Sequence, residues 1–254
     1  MDLEYMTNNY PFVSCRCMTH ARVSHLETSI SCFLRQDYPG KKELIILNDC
    51  AEQTLVFDHP EVKIFNLESQ IPTIGQKENS CIDLCAGEII FFWDDDDFFL
   101  PFYISTYIKE MIDRKWDFIQ NNYCWNWNGV SLSGPFPAQC TGFAFRKTAW
   151  NAAGKLPEIN VGHEQPFLAG LKSTSLGGVI SLPLSQIGYA YGWANGVYHV
   201  SGQGPDIPGQ PTCVQRFRDD ALARMNGGIE PTGIIQLRPQ QKHVIIPCQD
   251  ISVI

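Results

Sequence analysis

The chain has 254 residues, of which 44% are hydrophobic and 18% charged, with a net charge of −8. That composition supplies a sizeable core and excludes a disordered chain. The acidic balance excludes non-specific binding to nucleic acid or anionic lipid as a main activity, because both need clustered positive charge. Met1-Asp2-Leu3-Glu4 carries acids where a secretory signal carries bases. The longest apolar run, Ile89 to Trp93, is far too short to span a membrane. A cytoplasmic protein without an integral membrane segment is expected. The ten cysteines show no zinc spacing and read as small buried apolar residues in a reducing compartment.

Strand-like and helix-like patterns alternate over the first hundred residues. Phe12 to Cys17 reads as a buried strand. From Arg22 to Arg35, Leu26, Ile30, Phe33 and Leu34 recur at helical spacing, and Tyr38-Pro39-Gly40 ends that helix. Glu43 to Leu47 is a nearly continuous apolar run, as in a strand covered on both faces, and Val62 to Asn66 is another strand. A helix is predicted over Ile74 to Cys85, with Gly87 as its C-terminal cap. Glu88 to Trp93 is a third β-rich run. Pro101 suits the first turn of a helix reaching Met111, with Ile104, Tyr107, Ile108 and Met111 on one face. Phe118 to Tyr123 and Gly142 to Arg146 read as strands, and glycine and proline are dense from Gly154 to Gly209. A helix over Thr212 to Met225 and a closing strand at His243 to Ile246 are expected.

Strands separated by helices pair in parallel through right-handed crossovers, and such sheets bind ligands beyond the carboxyl ends of their strands. The predicted strand ends carry Thr19, Asn48-Asp49 and Asp94-Asp95-Asp96-Asp97, so these should converge. The aspartate quartet is the strongest signal. Four adjacent carboxylates repel one another, and a divalent cation with hard oxygen preferences, Mg²⁺ or Mn²⁺, relieves that repulsion. The run directly follows Ile-Ile-Phe-Phe-Trp and precedes Phe-Phe-Leu-Pro, a framing that argues against a merely solvated acidic turn.

Val13-Ser14-Cys15-Arg16-Cys17-Met18-Thr19-His20-Ala21-Arg22, Gln36-Asp37-Tyr38-Pro39, Glu43 to Asp49, Gly75-Gln76-Lys77-Glu78-Asn79, Ala86-Gly87-Glu88-Ile89-Ile90 and Trp93 to Asp97 stand in one order over residues 11 to 104. Together they resemble family 2 glycosyltransferases. The resemblance implies a GT-A fold: an α/β, Rossmann-like, mostly parallel sheet flanked by helices, with a less regular acceptor-binding C-terminal half. It implies one domain over 1–254, with a nucleotide-sugar half at 11–122, an acceptor half at 123–227 and a tail at 228–254. It further implies metal-dependent transfer of a sugar from a nucleotide diphosphate sugar, a UDP-sugar above all, to an acceptor hydroxyl.

Carried over by position, Asp49 matches the acid that reads the nucleobase, with helix capping as its alternative role. Thr19 and Arg22 match the first loop against the nucleotide. Gly75, Lys77 and Asn79 match the stretch near ribose and diphosphate, where a solvated helix lysine is the alternative. Asp94 and Asp96 match the two acids of the DXD motif, with Asp94 facing ribose and metal, Asp96 on the cation, and Asp95 sharing either job. Gly162-His163-Glu164-Gln165-Pro166-Phe167 resembles the segment holding the catalytic acid. Glu164 falls on the base position of an inverting reaction, and His163, replacing an acid, is a candidate base or ligand. His199 is a candidate metal ligand or a structural histidine. Tyr191 to Asn195 suit a lid, and Trp125, Trp127 and Trp193 suit either sugar stacking or the core. A glycan, a lipid-linked sugar, a protein side chain or a modified nucleobase all qualify as acceptor. Two rival readings stay open: a metal-dependent nucleotidyltransferase or phosphohydrolase, and an inactive nucleotide-sugar-binding module.

Overall fold

A computed structural model describes residues 10–127, 132–138, 142–192 and 234–238. The predicted helix over Thr212 to Met225 and strand at His243 to Ile246 lie outside the described residues.

In chain order the elements are β1 (Val13–Thr19), α1 (Val23–Leu34), β2 (Lys42–Asn48), β3 (Thr54–Val56), β4 (Val62–Asn66), α2 (Ile74–Leu84), β5 (Ile89–Phe92) and β6 (Phe98–Phe99). There follow α3 (Tyr103–Arg114), β7 (Phe118–Asn121), β8 (Tyr123–Trp127), β9 (Leu132–Pro137), β10 (Phe143–Arg146) and α4 (Lys147–Ala152). The last are α5 (Glu164–Thr174), β11 (Gly177–Ile180), β12 (Tyr189–Gly192) and β13 (Gln236–Arg238).

Seven strands form the central sheet in the order β11-β7-β10-β5-β1-β2-β4. The pairs β1–β2, β1–β5, β2–β4 and β7–β11 are parallel, and β10 runs antiparallel between β5 and β7. This is the expected mixed α/β architecture with a mostly parallel sheet and flanking helices. A second sheet has the order β6-β12-β8-β9, and β13 pairs with β3.

Strand alternation divides the core between the two faces of the central sheet. Leu44, Ile46, Ile89 and Phe91 face Leu26, Ile30 and Phe33 of α1 and Ile104, Tyr107 and Met111 of α3. Ile45, Leu47, Ile90 and Phe92 face Cys81 and Ile82 of α2, Trp150 of α4 and Phe167 and Leu171 of α5. The seven described cysteines are unpaired and buried, as expected.

Two expectations need correcting. Gly87 does not cap α2, because the helix ends at Cys85 with extended backbone. Gly87 instead donates its N–H to the Ser14 hydroxyl at 2.8 Å, where Ser14 in turn donates to Glu43. Phe118 to Tyr123 is not one strand. The chain breaks at Asn122, so β7 stays in the central sheet and β8 crosses into the second. The same six residues serve two sheets, which apolar pattern alone does not separate.

Candidate active site

Parallel pairing brings Thr19 level with Asn48, and Phe92 level with Arg16, so the ends of β1, β2 and β5 share one edge. The quartet leaves β5 at that edge in an extended turn whose burial alternates. Asp95 and Asp97 are 1% and 2% exposed, while the side chain of Asp94 is 29% exposed and that of Asp96 11%. Two arginines pair directly with the run. Arg22, at the head of α1 after the left-handed Ala21, donates to Asp95 and, at 2.6 Å, to Asp96. Arg16, buried in β1 with its guanidinium 3.6 Å from the centre of the Phe92 ring, donates to Asp94. Asp97 is tied inward by the Tyr189 hydroxyl and the Gly192 N–H, each at 2.7 Å. A Cβ on Gly192 would lie 1.9 Å from the Asp96 carbonyl oxygen, so β12 presses on the quartet only because that residue is glycine.

Two cations do not neutralise this cluster. Burial raises the Asp94 carboxyl, against Arg16 and together with Glu78 and Asp96. Burial pushes Asp95 up to about 7 despite Arg22, and drives Asp97 well above the usual carboxylate range with Asp96 and Asp94 adding to it. Two accessible carboxylates on a buried acidic base are a hard-oxygen donor set, which fits Mn²⁺ or Mg²⁺.

Across from the quartet, Gly162 at φ +72° turns the chain into α5. His163 is 4% exposed and Glu164, in the first helical turn, has a side chain 23% exposed. His163 Nε2 lies 3.1 Å from Glu78 Oε1 of α2 and 3.4 Å from Glu164 Oε1. Arg16 Nη2 reaches the same Glu78 oxygen at 3.3 Å. Burial raises the Glu164 carboxyl, opposed by His163 and reinforced by Glu78 and Asp94. Glu164 and Asp94 therefore sense one another's charge.

Other residues expected at the ligand turn out to hold the frame. Asp49 is 2% exposed; its Oδ1 accepts from Lys77 Nζ at 2.6 Å and faces His20 Nδ1 at 2.9 Å, and its Oδ2 accepts from the Ile71 N–H at 3.1 Å. Both oxygens of Asp49 thus have partners within the protein. The helix-cap role goes to Thr73, which caps α2. Lys77 is 8% exposed and also donates to the Thr19 carbonyl at 2.8 Å, so it is not a solvated helix lysine. Thr19 itself is 1% exposed.

Asn79 donates to the Leu156 carbonyl at 2.8 Å and accepts from Leu156 N–H at 3.0 Å and the Trp150 indole at 3.3 Å. The Gly75 N–H donates to the Ile159 carbonyl at 3.1 Å. Together these bonds staple α2 to the loop that delivers His163 and Glu164.

Trp125 is half-buried against the first core, with its indole donating to the Ile187 carbonyl at 2.9 Å. Tyr191 and Gly192 form the end of β12, whereas Trp193 to Asn195 and His199 lie outside the described residues. Sequence reasoning missed Arg16 and Glu78. The one signal was an arginine inside an apolar strand, which demands a buried acid somewhere in the fold.

No protein-family model and no curated protein sequence matches this chain. Its fold matches solved glycosyltransferases. Staphylococcus aureus TarS 1–349 in complex with UDP-GlcNAc aligns with a TM-score of 0.59 at 14% identity, over 88% of this chain and 69% of that one. The TarS 1–349 structure without a named ligand aligns at 0.56 and 14%, over 71% and 60%. The mannosyltransferase PcManGT from Pyrobaculum calidifontis, in complex with GDP-Man and Mn²⁺, aligns at 0.55 and 15%, over 87% and 72%. This chain spans 60% of the TarS 1–349 chain in that second alignment and 36% of the longer TarS chain. Among the described residues, no helix is long and apolar enough to cross a membrane.

Proposed function

We propose that the chain is a glycosyltransferase of the GT-A, family 2-like type, moving a hexose from a nucleotide diphosphate sugar to an acceptor hydroxyl. The observation that carries this reading is the alternation within the quartet: Asp94 and Asp96 partly accessible, Asp95 and Asp97 fixed inward, with the charge of Asp94 acting on Glu164. The shared fold supports it, since the TarS and PcManGT structures carry UDP-GlcNAc and GDP-Man.

In this reading Asp94 and Asp96 hold Mn²⁺ or Mg²⁺, and the ion when bound offsets charge on the departing diphosphate. Asp95 and Asp97 set the direction of their neighbours through Arg22, Tyr189 and Gly192. Arg22, already in contact with Asp96, is the side chain placed to meet diphosphate oxygens. Glu164 accepts the acceptor hydroxyl's proton, and its raised carboxyl suits a base that must hold a proton transiently. Direct displacement then inverts the anomeric carbon. Residues 11–122 serve the donor and 123–227 the acceptor, and the donor is a UDP-sugar.

The test is a panel of sugar nucleotides with Mn²⁺. Release of nucleoside diphosphate is expected; release of monophosphate or pyrophosphate instead would point to nucleotidyl transfer or hydrolysis. Glu164→Gln should keep donor binding and lower turnover roughly 10²- to 10⁴-fold, read as kcat against KM. Unchanged turnover would remove Glu164 from the base role.

A further inference from the structure

We infer that Glu78 and His163 are positioning residues that hold Glu164 in its reactive orientation, an inference that rests on the glycosyl-transfer reading. The trio spans 86 residues of sequence and meets in one place, with one donor or acceptor atom of each lying within 4.8 Å of the others. His163 Nε2 stands between the two carboxylates, 3.1 Å from Glu78 and 3.4 Å from Glu164. The imidazole thus hydrogen-bonds the buried acid and stands within ion-pair distance of the acid that faces the reaction. Glu78 is itself held: it is 3% exposed, and the Oε1 that meets the imidazole also accepts from Arg16, whose guanidinium lies over the Phe92 ring. The order of restraint runs from Phe92 through Arg16, Glu78 and His163 to Glu164. The bonds from Asn79 and Gly75 to residues 156–159 fix the loop against α2 from the other side.

The charge balance agrees with this geometry. His163 faces Glu78 from α2, Glu164 from α5 and Arg16 from β1; burial lowers its affinity for a proton, but the hydrogen bond and charge of Glu78, with Glu164, raise it overall. Glu164 faces His163, Glu78 and Asp94. Among the described residues Glu164 has its ion pair with His163 and Glu78 has His163 and Arg16, so the imidazole links the outer acid to the buried one without touching substrate.

The experiment follows release of nucleoside diphosphate from UDP-GlcNAc or GDP-mannose with Mn²⁺, water serving as acceptor, across the neutral pH range. His163→Gln should lower kcat roughly 10- to 100-fold with KM within about threefold, and should move the acid limb of the kcat profile. Glu78→Gln should act in the same direction, and the double variant should be no worse than the stronger single one. By proton NMR the His163 imidazole should titrate above the ordinary histidine value, and lower in Glu78→Gln. Should Glu78→Gln fail to fold because Arg16 loses a partner, His163→Gln and the wild-type titration decide alone.

Wild-type kcat and an unmoved acid limb in His163→Gln, with Glu164→Gln inactive, would overturn the inference and leave the transferase reading standing. Mn²⁺ bound without nucleotide, and lost in His163→Gln, would overturn it in favour of a metal held by the trio. Full turnover in Glu164→Gln would remove the base reading and this inference with it.

Discussion

Asp49 and the run Asp94 to Asp97 end two strands of the same sheet, at the same edge, and both are largely buried, yet their electrostatics are opposite. Asp49 has a lysine, an imidazole and a backbone N–H on its two oxygens. Burial, the largest single influence, raises its carboxyl, but the charges and hydrogen bonds of Lys77 and His20 together outweigh it and bring it down to about 2. Among the described residues the quartet has two arginines for four acids, and burial raises Asp94, Asp95 and Asp97. One cluster is complete within the protein. The other is left with an acidic excess that an external dication relieves. A strand-end acid is thus informative about ligands only once its internal partners are known.

The contrast can be broken by substitution. The largest effect on stability is expected from Asp49→Asn, which leaves Lys77 and His20 buried without their counter-charge. A loss of about 3–5 kcal/mol is expected in a denaturant melt, with Mn²⁺ stoichiometry unchanged in whatever fraction folds. Asp96→Asn should do the reverse. It should weaken Mn²⁺-dependent binding of the nucleotide sugar by roughly 100-fold, about 2.7 kcal/mol, while the metal-free melt stays unchanged or rises because a like charge is gone. Equal stability losses in the two variants would erase the distinction.

Acidity separates the clusters by sign. Asp49 titrates lower folded than unfolded, so its contribution is present above its ordinary value and is lost as pH falls from about 4 towards 2, about 2 kcal/mol in all. Asp95 titrates higher folded, so in metal-free protein its contribution is full below its ordinary value and is lost as pH rises from about 4 to about 7. Melts against pH should therefore fall on both sides of about pH 4, and Mn²⁺ should remove the decline on the neutral side only. The smallest effect is expected of Asn79→Ala, a loss of about 1–2 kcal/mol in stability with donor affinity unaltered, measured by melt and calorimetry together.

Much of the frame was legible in the sequence. Continuous apolar runs at Glu43 to Leu47 and Glu88 to Trp93 can only be strands covered on both faces, and helical spacing between them dictates crossovers. Those two facts bring Thr19, Asp49 and the quartet to one edge. What the pattern does not carry is pairing across long separations. Arg16 meets Glu78, and Asn79 meets Leu156, through tertiary packing that neither local sequence announces. The internal bonds of Lys77 and Asn79 are therefore not legible in the sequence.

The second half is harder for a different reason. The strand β11 opens on Gly177-Gly178 inside the stretch dense in glycine and proline, and the break at Asn122 is set by the second sheet and by no change of residue type. The assignment of Asp94 and Asp96 comes from the family resemblance alone, because four identical residues carry no register until Tyr189 and Arg22 choose which side chains turn inward.

The central claim is that the aspartate quartet is under-neutralised and takes a dication together with a nucleotide diphosphate. Calorimetric titration of Mn²⁺ into the protein at neutral pH, with UDP-GlcNAc or GDP-mannose present, tests it most directly. The account predicts uptake of one ion per chain that depends on the nucleotide sugar. No Mn²⁺ uptake with either compound would contradict it.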